Sequence, residues 1–131
     1  MFAQSVTYDK WERNRDSPTT VQKPGWFTIE QRIRLLDGRQ HTMVTIAGAG
    51  EAHMAVGGGG GRYVVYATYD NLTFHNLVDP ARGEAAERVL AGGQQGEYPA
   101  RQVVALDQAL EAARQFAEHG VLAPTVTWEE A

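Results

Sequence analysis

Cysteine is absent from the 131 residues, which excludes disulfides, thiolate metal sites and a cysteine nucleophile. Serine is nearly absent. Only Ser5 and Ser17 occur, neither within a Gly-x-Ser-x-Gly elbow, so a serine-hydrolase triad has no foundation. No segment approaches the roughly 20 consecutive apolar residues that cross a bilayer. The start of the chain, Met1 to Tyr8, has no basic residue leading into an apolar run, so it does not read as a secretory signal. The expectation is a soluble, cytoplasmic protein. Clusters of Lys and Arg are missing too, which disfavours direct binding of nucleic acid. The glycine run Gly57–Gly61 lacks the Lys and Ser/Thr that complete a phosphate loop, and no βαβ unit surrounds it. His41, His53, His75 and His119 form no HxH or HxxxH pair, so neither a metal nor a cofactor is expected.

What is present fits one soluble domain: 43% hydrophobic and 21% charged residues, with a net charge of −4. The charge is unevenly spread. Residues 1–69 hold 8 Lys/Arg and 6 Asp/Glu, a net of +2, whereas residues 70–131 hold 4 Lys/Arg and 10 Asp/Glu, a net of −6. The acidic half is either a solvated surface or a face for a basic partner.

Residues 1–25 are polar, with turn signals at Asp16-Ser17-Pro18 and Lys23-Pro24-Gly25. They read as an irregular arm, with room for a short strand near Ala3–Tyr8, ahead of a single domain at 26–131. Ile29, Ile33 and Leu36 form a helical stripe over Thr28–Leu36, with Thr28 placed to cap it and Gln31 three residues on. Strand-like alternation follows over Thr42–Ala47, Ala52–Val56 and Tyr63–Tyr69, the last apolar on both faces and therefore central. Gly57–Gly61 reads as a hairpin turn. Leu72–Val78, Glu87–Ala91 and Arg101–Leu106 are further strand candidates. A second helix spans Gln108–His119, capped by Asp107 and stopped by Gly120, with Ala109, Leu110, Ala113, Phe116 and Ala117 inward. The fold class expected is α+β: an antiparallel sheet with two helices on one face.

Three stretches are distinctive together. Gly57–Tyr66 leads to Phe74-His75-Asn76-Leu77-Val78-Asp79. Gly92-Gly93-Gln94-Gln95-Gly96-Glu97-Tyr98-Pro99-Ala100-Arg101 continues into Gln102-Val103-Val104. The helix Ala109-Leu110-Glu111-Ala112-Ala113 exits toward Thr127-Trp128-Glu129. This order resembles Imm family one, the immunity proteins of bacterial polymorphic toxin systems, over residues 26–131. The resemblance implies a non-enzymatic α+β protein without a cofactor. It implies a partner encoded alongside, a cognate toxin often of the nucleic-acid deaminase class. Such a toxin is itself the zinc enzyme that attacks a base with metal-activated water.

Within the matched stretches, Glu97, Tyr98 and Arg101 sit on a glycine-bearing, proline-stiffened loop and are candidate contacts for the toxin, joined by Trp128 and Glu129. Tyr and Arg are favoured anchors because they combine contact area with a polar handle. A structural reading stands beside this one, with Arg101 pairing internally with Glu97, Tyr98 capping the core, and Trp128 closing the layer over the second helix. Rival functions also stand: a non-catalytic adaptor or secretion chaperone, or a small enzyme built on His53 or His75, which needs a pocket where those groups converge.

Overall fold

The computed structural model describes residues 1–131. In chain order it holds β1 (Ser5–Tyr8), β2 (Trp11–Glu12), β3 (Arg15–Asp16), β4 (Thr19–Gln22), α1 (Trp26–Arg34), β5 (Met43–Ala47), β6 (His53–Gly59), β7 (Arg62–Thr68), β8 (Phe74–Val78), β9 (Ala86–Ala91) and β10 (Gln94–Pro99). A 3-10 turn (Ala100–Gln102), α2 (Leu106–His119) and β11 (Thr127–Glu130) follow. Seven strands form one sheet in the order β11-β8-β7-β6-β5-β1-β4, with every neighbour antiparallel. The α+β class expected from the sequence is the class observed.

Period-two alternation decides which side chains meet. Register aligns Val6 with Ile46, Ile46 with Met54, and Met54 with Ala67, one residue from each of four strands on one face. Val44, Val56 and Val65 form the next row. Both helices lie on this face and bury Ile29, Ile33, Ala109, Ala113 and Phe116 completely against it. The opposite face carries Met43, Ala55, Val64 and Tyr66, and the β9–β10 hairpin covers part of it. Gly57 makes that cover close. A Cβ there would stand 2.5 Å from the Cβ of Ala91, so any side chain would push the hairpin off the sheet.

Several expected boundaries shift, each for a physical reason. The arm expected to be irregular over 1–25 supplies β1 inside the main sheet and β4 at its edge. Buried Asp9 fixes this arrangement. Its carboxylate accepts the backbone N–H groups of Thr42 (2.7 Å) and Met43 (3.0 Å), the Trp11 indole N–H (2.9 Å) and the Thr42 hydroxyl. A carboxylate so fully hydrogen-bonded can stay buried. Helix α1 starts two residues before Thr28. Its N-cap is Gly25, with no side-chain cap, so Thr28 lies inside the helix. Helix α2 likewise starts at Leu106. Gln108 Oε1 accepts the N–H of Ala105 (2.9 Å), and Asp107 sits in the first turn rather than at the cap. The stop at Gly120 is as expected, in the left-handed region at φ 70°.

The glycine run is only partly a turn. Strand β6 continues through Gly59, and the chain reverses at Gly60-Gly61. The segment Gln94–Pro99, expected as a loop, is a strand paired to β9 residue by residue, with Gly92-Gly93 as its turn. Arg101–Leu106, expected as a strand, is a 3-10 turn followed by one bridge between Val104 and Tyr63.

Truncating the most enclosed aromatic residue tests this packing. Phe116→Ala should lower unfolding free energy by about 3–5 kcal/mol, the range for removing a buried aromatic ring. Leu72→Ala, at a site 84% exposed, should stay within about 0.5 kcal/mol of the parent. Urea denaturation followed by circular dichroism measures both.

Candidate partner-binding surface

The hairpin β9–β10 and the turn after it carry three of the five residues singled out in the sequence. Glu97 is exposed and faces Arg88 across the hairpin. Tyr98 is half-buried and folds back over Gly96, where a Cβ would come within 2.9 Å of its ring. Its ring helps line a small apolar cavity of about 100 Å3 under the hairpin, with Met43, Val64, Tyr66 and Ala91 among the walls. Tyr66 lies deep enough there that burial raises its phenol pKa above the usual value.

Arg101 is held at both backbone ends. Its N–H donates to Gly83 O (2.9 Å), and its carbonyl accepts from the Asp79 N–H (2.7 Å). The guanidinium then reaches Glu129 in a two-pronged pair, with Nε to Oε2 at 2.8 Å and Nη2 to Oε1 at 3.0 Å. Glu84 lies 2.6 Å from Nη1. The internal partner expected for Arg101 was Glu97; the observed partners are Glu129 and Glu84. Twenty-eight residues separate Arg101 from Glu129, so no local spacing announces the pair. The hydrogen bond from Arg101, followed by its charge, holds the Glu129 carboxyl below the usual carboxylate range, although partial desolvation works against it. Glu129 and then Glu84 raise Arg101 in turn.

Trp128 points to the other face. It packs against the helix-side core, and its indole N–H donates to Ala123 O (3.1 Å). The five residues therefore do not form one patch. Tyr98, Arg101 and Glu129 gather on the hairpin side, Glu97 stands on the hairpin's outer surface, and Trp128 closes the helix layer.

A second charged node went unnoticed in the sequence. Glu87 on β9 accepts from Arg62 at the start of β7 (3.0 Å) and is paired with Arg82, whose Nη1 also donates to Val103 O (2.7 Å). Arg62 first, with Arg82 assisting, holds the Glu87 carboxyl below its usual range. Glu87 and Arg101 both tie the open end of the hairpin, where its strands enter and leave, to the sheet.

The histidines do not converge. In His53, Nδ1 lies 3.0 Å from Glu51 O and Nε2 lies 3.1 Å from the Tyr66 hydroxyl. His75 lies on the opposite face, edge-on to Tyr69. Neither lines a cleft. No three His, Asp or Glu side chains are grouped so that they could hold a metal ion, and no helix is long and apolar enough to cross a membrane.

The profile of the family described as Immunity protein Imm1 matches residues 16–130. The chain belongs to the Imm1 immunity proteins. The match reaches back beyond the resemblance seen from residue 26, to include β4 and the last residue of β3. No curated protein matches the chain. In this Imm1 protein the glycine–tyrosine–arginine stretch that carries the resemblance is the hairpin and the ion-paired turn just described.

The paired carboxylate gives a pH test. Because Glu129 is held below its unfolded value of about 4.3, its stabilisation is complete above that value and is lost as pH falls through the folded-state pKa. Glu129→Gln should melt lower than the parent at pH 7. The two melting temperatures should converge as pH falls below about 4. A gap that stays constant with pH would assign the loss to packing instead.

Proposed function

We propose that this immunity protein binds a cognate toxin in the cytoplasm, that the toxin is a nucleic-acid deaminase, and that the chain acts by covering the toxin's substrate groove rather than by any chemistry of its own. Family membership over residues 16–130 is the observation that carries this reading. A steric inhibitor needs a rigid, preorganised surface, since ordering a floppy one on binding costs affinity. The hairpin face meets that need through the Arg101–Glu129 and Arg62–Glu87–Arg82 ties.

In this reading Glu97 and Tyr98 meet the toxin directly. Arg101 and Glu129 hold the turn beside them and contribute through that position, while Trp128 fixes the last strand against the core. A stable interface of this type covers about 1,600 Å2 in total. The acidic residues that dominate the second half of the chain complement the basic groove of an enzyme that handles nucleic acid. They accelerate encounter more than they deepen affinity.

Co-expression with the adjacent toxin gene tests this function. The chain should restore growth and co-purify with the toxin, and it should compete with the nucleic-acid substrate for one toxin surface. A ternary complex of toxin, substrate and immunity protein would contradict occlusion. Raising monovalent salt from about 50 to about 500 mM should slow association at least about tenfold. An on-rate indifferent to salt would remove the electrostatic component.

A further inference from the structure

Strand β11 ends the seven-stranded sheet, and nothing in the chain pairs with its outer side. The register fixes which backbone groups are left over. The N–H of Ala131 donates to Phe74 O (2.9 Å), and antiparallel ladders alternate, so Glu129 and Thr127 also turn their peptide groups toward β8. Trp128 and Glu130 therefore turn their N–H and C=O groups outward, and neither engages another backbone or side-chain partner there. Unpaired edges of this kind are templates for an added strand.

The charge along this edge selects the occupant. Glu129 and Glu130 lie on it, and the side chain of Glu84, 80% exposed, stands beside the Arg101–Glu129 pair. At the start of β11 the surface opens into a polar cleft of about 630 Å3. Its walls include Asp107 and Glu111 from α2, Thr125 from the approach to the strand and Thr127 at its first position. A second copy of this chain is a poor occupant, because β11 against β11 would place glutamates beside glutamates, and like charges across a ladder repel. The opposite edge differs. Strand β4 carries no acidic residue, and Pro18 and Pro24 stand just beyond its ends, where proline discourages extension of the pairing.

We propose that the outer edge of β11 is where the toxin docks, by adding an extended segment that carries Lys or Arg as an eighth strand of the sheet. This rests on the reading of the chain as a toxin-binding immunity protein and extends the contact from Glu97 and Tyr98 on the hairpin to the sheet edge beside them. The outward peptide groups of Trp128 and Glu130 supply main-chain hydrogen bonds. Glu130, Asp107 and Glu111 supply the preference for a basic strand.

Glu130→Pro tests the edge selectively. The N–H it removes makes no bond to β8, so the seven-stranded ladder is kept, while an incoming strand loses a partner and meets the proline ring. The probe is a catalytically inactive form of the toxin that co-purifies with the parent chain. E130P should melt within about 3 °C of the parent and bind this toxin at least about 30-fold more weakly. Gln22→Pro, the equivalent change on the β4 edge, should bind within about threefold of the parent. E130K leaves the backbone intact and decides the matter if E130P does not fold. It should weaken binding at least about tenfold at low salt, with the deficit shrinking as salt rises. Parent-like binding by E130P or E130K overturns the edge assignment and leaves the immunity reading standing. Failure of the parent to bind any adjacent toxin overturns both.

Discussion

A sheet whose middle strands are apolar on both sides has to be covered twice, and this chain has helices for only one side. The remaining structure follows from how the second side is covered. Helices α1 and α2 bury the row from Val6 to Ala67. The other face carries Met43, Ala55, Val64 and Tyr66, and a two-stranded hairpin is laid over it. A hairpin that thin supplies little burial of its own, and isolated two-stranded hairpins are marginal in water. It stays in place because Gly57 lets Ala91 approach the sheet backbone and because charged ties fix its open end, opposite the Gly92-Gly93 turn. Those ties are partly exposed, and pairs of that kind are individually weak. Their value here is geometric: Arg101 joins the hairpin's exit to β11, and Glu87 joins its first strand to β7 and to the loop before it.

The same logic accounts for the N-terminal strands. Four residues with one fully buried side chain, Val6, cannot secure a place in the sheet by burial alone. Buried Asp9, just past β1, is satisfied only when Thr42 and Met43 of the β5 approach lie against it. The Thr42 hydroxyl then accepts the N–H of Gly93 (2.9 Å), which carries the link to the hairpin turn. One carboxylate thus ties β1, β5 and the second cover together.

What the sequence disclosed and what it withheld divide along the range of the forces involved. The stripe Ile29, Ile33, Leu36 and the row Tyr63, Val65, Ala67 were legible because burial imposes a period within each element. The helix starts were misplaced by two residues. The Thr28 hydroxyl and the Asp107 carboxylate both resemble caps, yet Gly25 and Ala105 hold those positions. Strand β10 was hidden because Gln94, Gln95, Gly96 and Glu97 carry no strand signature and are held extended by pairing with β9. The Arg101–Glu129 pair was hidden for a related reason: the two residues were each marked, but only tertiary folding makes them partners. Strand β1 gave little sign, since its place depends on Asp9 and on partners about forty residues away.

Together these features describe a plate stiffened on both faces and closed along most of its length, with backbone hydrogen-bonding groups left free at its outer strands. Such a surface suits the proposed docking of a toxin without rearrangement, and the acidic outer strand suits a partner of opposite charge. Amide hydrogen exchange of the free chain and of its complex with the toxin tests that account most directly. It predicts strong new protection at Trp128 and Glu130, with the amides of β5, β6 and β7 unchanged. Protection confined to the β4 edge, or a general slowing across the interior strands, would contradict it.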